Sequence, residues 1–234
     1  DVAVSGAIPR YLSCGFILEE GLPMETLKTV VNSMAATARE AGIAIVTGDT
    51  KVVPRGACDK MFITTTGVGE VFADPAPSGH AARPGDAVLI SGAMGDHGLT
   101  IMARREELSF MSDVASDSAP LNRLTERLIT EVGDIHVLRD PTRGGLASTL
   151  NEFAAASGVN IYVDEDSIPV RPEVRGACEM LGYDVLQVAN EGKMVAVVPA
   201  DEAGAALAAM RSSRYGANAA IIGEVCEAAS TGRD

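Results

Sequence analysis

Ile43-Ala-Ile-Val-Thr-Gly-Asp-Thr-Lys-Val-Val53 is the stretch on which the reading of this chain turns. Residues 43–47 are apolar or β-branched and read as a short buried strand. Gly48, Asp49, Thr50 and Lys51 read as the turn at its end, so a carboxylate, a hydroxyl and an ammonium are expected at the tip of a rigid element. That grouping suits Mg²⁺ and phosphate. It equally suits a plain turn whose Asp bonds its own backbone and whose Lys lies in solvent.

Working outward, Met24, Leu27, Val31, Met34, Ala38 and Ala41 recur at spacings of three and four, with Pro23 before and Gly42 after. This predicts a helix over 24–41 whose Met-rich stripe is a core face and which feeds the strand. Ahead of it, residues 1–10 read as a short helix ending near Gly6 and residues 11–18 as a strand, with Gly6 and Pro9 between them. Beyond it, Lys60-Met-Phe-Ile-Thr-Thr-Thr-Gly67 reads as another strand. Three prolines and two glycines in 73–86 mark a domain boundary, giving a first domain of 1–72, a linker of 73–79 and a second domain of 80–230. The second domain reads as strand 87–91, helices about 98–108 and 121–131, strand 135–139, helix 144–157, strand 159–163, helix 172–181, paired strands 185–189 and 194–198, helix 201–213 and strand 219–225. The alternation predicts a layered α/β or α+β fold with mixed sheets and flanking helices.

The 234 residues suffice for one large or two small domains, and packing is mostly aliphatic, because aromatics are 4% and Trp is absent. A net charge of −13 argues against a nucleic-acid or anionic-membrane surface, both of which need clustered Lys and Arg. No apolar run approaches the roughly 20 residues that span a bilayer, and no signal-peptide pattern is visible. Cys14, Cys58, Cys178 and Cys226 show no metal-ligand spacing, so reduced thiols in a cytoplasmic protein are expected. His80 and His136 lack companion groups and are expected to be idle.

Three further stretches carry candidate chemistry. Gly92, Gly95 and Gly98 lie between a strand and a helix, where backbone amides and the helix N-terminus attract phosphate; Asp96 and His97 there also fit a cap and a packed imidazole. In Arg139-Asp-Pro-Thr-Arg-Gly-Gly-Leu146, Asp140 suits a cap or a cation and Arg143 a phosphate or carboxylate clamp. Ala189-Asn-Glu-Gly-Lys-Met194 reads either as a solvated hairpin turn or as a turn presenting Glu191 as base or metal ligand, with Lys193 beside it.

Together Asp1-Val-Ala-Val-Ser-Gly-Ala-Ile-Pro-Arg10, Val46-Thr-Gly-Asp-Thr-Lys51, Gly95-Asp-His-Gly98, Asp140-Pro-Thr-Arg-Gly-Gly145 and Asn190-Glu-Gly-Lys193 resemble the HypE family of hydrogenase maturation factors, in the PurM-like superfamily. The likeness covers nearly the whole chain and keeps motif order and spacing. It implies a PurM-like two-domain fold and an ATP-dependent dehydration of a carbamoyl group on a C-terminal cysteine to a thiocyanate, the source of cyanide ligands for nickel–iron hydrogenases. By the same resemblance, Asp1 and Asp49 look like Mg²⁺–nucleotide acids, and Gly48, Thr50 and Lys51 like phosphate or carbamoyl-oxygen binders. Glu191 looks like the base or the group that orients the thiocarboxamide, with Asn190 and Lys193 in support. Gly95, Asp96, His97 and Gly98, with Asp140, Thr142, Arg143 and Gly144, look like the remaining walls of the cleft between domains. A homodimer, the carbamoyltransferase HypF and the HypC–HypD complex are the implied partners. Family members begin earlier and end in a mobile Pro-Arg-Ile/Val-Cys tail, whereas this chain runs from Asp1 to Ser230-Thr-Gly-Arg-Asp234; it reads as a fragment, expected to bind ATP weakly or not at all and not to complete the reaction. Cys226, at the end of a predicted strand, is no substitute for the tail cysteine. Two alternatives stand beside this: another PurM-like ATP-dependent synthetase or kinase, and a non-catalytic dimeric docking module.

Overall fold

The computed structural model describes residues 1–105 and 114–228. The last residues of the helix expected over 98–108, and the closing Ser230–Asp234, lie outside the described residues. The chain divides into two compact units: a smaller one of Val2 and Ala7–Phe72, and a larger one of Asp1, Ala3–Gly6 and the chain from Ala73 onward.

The smaller unit is one crossover plus an antiparallel third strand. Strand β1 (Ala7–Glu19) leads through helix α1 (Met24–Ala41) to β2 (Ala44–Val53), which lies parallel to β1; β3 (Met61–Val71) pairs antiparallel on the other side, giving the order β2-β1-β3. Gly42 closes α1 in the left-handed conformation, its N–H reaching the carbonyl of Arg39, which is the ordinary role of glycine at that position.

Three expectations are corrected here. Residues 48–51 are not a turn: β2 runs through them to Val53, because Thr47, Thr50, Val52 and Val53 continue the β-branched run. Gly48 is needed for strand contact, since a Cβ there would lie 2.0 Å from the Cys14 carbonyl oxygen across the parallel pair. Second, β2 is exposed rather than buried, and α1 has no fully buried residue; Met24 is 63% exposed and Val46 57%. The stripe is half-covered at Leu27, Met34 and Ala38, over a groove of about 640 Å³ that Cys14, Phe16, Met34 and Ile45 help to line. Third, Pro9 does not separate elements but sits inside β1 beside a register shift, where a missing N–H is tolerated.

The larger unit centres on a five-stranded sheet of order β5-β7-β4-β8-β6, every neighbouring pair antiparallel: β4 (Asp86–Ile90), β5 (Val137–Arg139), β6 (Asn160–Val163), β7 (Val195–Pro199) and β8 (Ala220–Cys226). Its helices are α2 (Asp96–Arg105), α3 (Asn122–Glu131), α4 (Gly145–Ser157), α5 (Pro172–Leu181) and α6 (Ala203–Arg211). Strand alternation sorts the core. Leu89, Ala196 and Val198 pack with Leu124 and Leu128 of α3 and Met210 of α6, while Val88, Ile90, Val195 and Val197 pack with Leu146, Leu150 and Phe153 of α4. A strand buried on both faces is largely apolar, which is why Ala87–Ile90 of β4 and the whole of β7 read as unbroken apolar runs. A third cluster joins α2 and α5 through Leu99, Val174, Ala177, Val185 and Val188.

That cluster overturns the strand expected at 185–189 and its pairing with 194–198; the latter is present as β7, paired with β4 and β5 instead. Residues Val185–Gln187 form a 3₁₀ turn started by Asp184, whose carboxylate accepts the Leu186 N–H at 2.9 Å. Val185 and Val188, three apart, then face the same helices. His136 is also not idle. It is buried, with Nδ1 2.6 Å from Asp86 Oδ2 and Nε2 3.1 Å from Asp134 Oδ2, and its carbonyl accepts the Ser78 N–H. His80 is exposed, Nδ1 lying 3.3 Å from the Ala156 carbonyl. No helix among the described residues is long and apolar enough to cross a membrane.

Candidate active site

In the larger unit the loops that open α2 and α4 and the loop that enters β7 converge on one side chain. Asn190 is wholly buried. Its Oδ1 accepts the Gly95 N–H at 2.8 Å, and its Nδ2 donates to the Pro141 carbonyl at 3.1 Å and the Val188 carbonyl at 3.0 Å. Its own N–H donates to Pro141, and the Gly98 N–H donates to Ala189. Three motifs far apart in sequence are thereby held by one amide, and a buried amide with its bonds made rigidifies what it joins. The glycines expected to open a path for phosphate are used partly for this packing: a Cβ at Gly98 would lie 2.6 Å from Val188 and 3.0 Å from the Ala189 nitrogen.

With Asn190 inside, the next residue is forced outward. Glu191 is exposed on the far side of the turn, and His97 Nε2 stands 3.9 Å from its Oε1. The other ring nitrogen of His97, Nδ1, is 2.8 Å from Ser116 Oγ. Gly192 and Lys193 complete the turn, with the Lys193 ammonium 2.8 Å from Asp117 Oδ2. Asp96 is buried at the start of α2 and takes the Arg171 guanidinium at 3.0 Å. Burial pushes the Asp96 carboxyl above its ordinary value; the hydrogen bond and charge of Arg171 pull it down, and the nearby Asp117 carboxylate raises it.

The other expected residues fall as follows. Thr142 Oγ1 donates to Asp140 Oδ2 at 2.8 Å, so that pair closes the turn before α4. Gly144 takes φ +71° at the N-cap of α4, and Arg143 is exposed beside it. Asp1 is exposed and belongs to the larger unit. Asp49, Thr50 and Lys51 belong to β2 of the smaller unit and are all exposed. On a strand, Asp49 and Lys51 share one face and Thr50 takes the other. Oδ1 of Asp49 accepts the Thr50 N–H at 2.8 Å. Among the described residues, no three His, Cys, Asp or Glu side chains gather around a metal position.

Residues 1–71 match the family model for the AIR synthase related protein N-terminal domain, and residues 83–233 that for its C-terminal domain. The carbamoyl dehydratase HypE of Escherichia coli (strain K12) is 56% identical over 227 residues, covering 97% of this chain and 67% of that protein. The chain belongs to the HypE family of AIR synthase related proteins. A crystal structure of hydrogenase maturation protein HypE in complex with ATP superposes with a TM-score of 0.95 at 63% identity, over 97% of this chain and 68% of that one. A chain of a crystal structure of a HypE–HypF complex gives 0.93 at 52% identity, over 96% of this chain and 73% of that one. The chain thus spans about two thirds of the length of the curated HypE proteins it matches.

Asp117, Ser116 and Arg171 are the residues of this site that sequence reasoning missed. Ser116-Asp-Ser-Ala-Pro120 belongs to a polar stretch without helical or strand periodicity, and Arg171 was visible only as the residue before the helix-starting Pro172. Neither carries a local signal; their partners come from distant parts of the chain.

Proposed function

We propose that the protein carrying this chain is an ATP-dependent carbamoyl dehydratase that converts an S-carbamoyl group on a cysteine of its own C-terminal tail into a thiocyanate, supplying cyanide for the iron of nickel–iron hydrogenases. The observation that carries the reading is the 63% identity to the HypE crystallised with ATP, over 97% of the chain. In the reaction the carbamoyl C–O bond breaks, the two N–H protons are lost and the carbon–nitrogen bond becomes triple. ATP, with Mg²⁺, supplies the phosphoryl group with which the oxygen departs as phosphate. The protein has to hold the nucleotide, place the carbamoyl group and remove protons.

The residues present fit that division. Asp49 has an exposed carboxylate with Oδ1 already tied to the backbone, leaving Oδ2 for a cation that arrives with phosphates, and Lys51 offers an ammonium on the same strand face. Asp1, Gly95, Asp140, Thr142 and Arg143 are assigned to the nucleotide side. Glu191 is the proton acceptor: it is a carboxylate on a turn whose neighbour is locked by four hydrogen bonds in all, and His97 stands at its side. Asn190 acts by holding the three turns, not by touching substrate. A cytoplasmic homodimer, loaded by HypF and relieved of cyanide by HypC–HypD, is the assembly assigned; a HypE–HypF complex among its relatives supports the first partner. The exposed apolar side chains of β2 and β3 suit a second copy.

Intact-mass measurement on the complete protein, incubated with HypF, carbamoyl phosphate and MgATP, tests the reading. Gain of one carbamoyl group followed by loss of one water on the tail cysteine is expected. Glu191→Gln should accept the carbamoyl group but lose water at least about 100-fold more slowly. ATP hydrolysis with no adduct, HypF being active, would remove the dehydratase assignment.

A further inference from the structure

We propose that Asp117 is a positioning residue for the reaction, anchoring the 190–193 turn and the Lys193 ammonium so that Glu191 keeps its place beside His97, and that Ser116 orients His97 from the same segment. The inference rests on the role given to Glu191 above.

Residues 116–119 lie against the turn rather than beside it. A Cβ on Gly192 would fall 1.7 Å from the Asp117 carbonyl oxygen and 2.9 Å from the Ala119 nitrogen, so the bare face of that glycine is where the segment seats. From there the Asp117 side chain spans the turn. Oδ1 receives the Glu191 N–H at 3.4 Å, and Oδ2 lies 2.8 Å from Lys193 Nζ. The Asp117 side chain is 5% exposed and that of Lys193 12%. Among the described residues Oδ2 accepts no well-directed hydrogen bond, so the ion pair is what compensates this buried carboxylate.

The pair decides between two readings of Lys193. An ammonium free to hold a phosphate would have to be open, or paired with something that yields easily. This one is nearly enclosed against a buried carboxylate at contact distance, its stem passing over Gly92. Drawing it away would strand Asp117. Lys193 therefore serves as the far anchor of the turn. One residue earlier, Ser116 Oγ engages Nδ1 of His97, which turns Nε2 toward Glu191. Two consecutive residues thus fix the groups on both sides of the exposed carboxylate, an arrangement expected of support for a reacting group.

The test is Asp117→Asn in the complete protein, read by amide exchange and by the rate of water loss from the carbamoylated tail. Exchange in the peptide covering 190–193 should rise about tenfold or more, with β4 and β7 unchanged. Water loss at saturating ATP should fall about 10- to 100-fold, while half-saturating ATP moves less than about twofold. Asp117→Glu, which keeps the charge, should recover part of the rate; Ser116→Ala, a single lost hydroxyl, should slow water loss without raising exchange at 190–193, and serves if Asp117→Asn does not fold. Unchanged exchange in Asp117→Asn overturns the proposal. So does raised exchange with an unchanged rate when Glu191→Gln is slow. If Glu191→Gln is also fast, the role of Glu191 fails and this proposal falls with it.

Discussion

The two sheets of this chain are written in similar apolar alphabets and end in opposite surroundings. In the larger unit, β4 and β7 show almost nothing to solvent, because α3 and α6 cover one face and α4 the other. In the smaller unit a single helix, α1, is available, and Val46, Val52, Phe62 and Val68 are each more than half exposed. β-branched and aromatic residues therefore specify a strand, whereas burial depends on how many faces other elements cover. The larger unit closes its own core; the smaller one leaves apolar side chains exposed.

Removing a side chain from the closed core is the harshest test of that difference. Phe153→Ala should cost about 3–5 kcal/mol, seen as a lower denaturation midpoint of the larger unit, because the ring is wholly enclosed by aliphatic neighbours. A loss below about 1 kcal/mol would mean the core is looser than drawn.

The larger unit also holds charge below its surface, and pH probes that. The folded-state value of Asp96 is raised, chiefly by burial, so its contribution to stability is full below the ordinary carboxylate value and is lost as pH rises through the raised one. Relative to Asp96→Asn, the wild type should lose stability over that rise. Melting temperature across the weakly acidic range measures it, and parallel profiles for the two proteins would contradict the assignment.

The smallest change in stability belongs to the exposed sheet. Phe62→Ala should alter the unfolding free energy of the isolated chain by less than about 0.5 kcal/mol. Phe62→Asp in the complete protein should nonetheless convert a dimer to a monomer in sedimentation velocity. A large stability loss in the isolated chain would show that the smaller unit already buries this face.

Much of the fold was legible before any coordinates. The α1 helix is announced by Pro23 and Gly42 and runs between those marks, and α5 occupies Pro172–Leu181, the range expected for it. Family membership was carried by short motifs around Asp49, Gly95, Asp140 and Asn190, all quoted directly from the chain. What stayed hidden depended on distance. Val185-Leu-Gln-Val-Ala189 is as apolar as a strand, and only the helices packed on it make it a 3₁₀ turn. The buried partner of His136, Asp86, is 50 residues away, and Asp117 carried no local signal because Glu191 is 74 residues away.

The bonds of Asn190 also set a timetable. Its partner at Gly95 precedes it by 95 residues, and Pro141 by 49. During synthesis the N-terminal loops must therefore wait, with their amides and carbonyls in water, until residue 190 has left the ribosome and folded back. Loops joined over such separations close late. A ribosome-stalled chain ending before Asn190 would carry most of the α2 and α4 motifs in order along the sequence, yet without the one amide that makes them a single place.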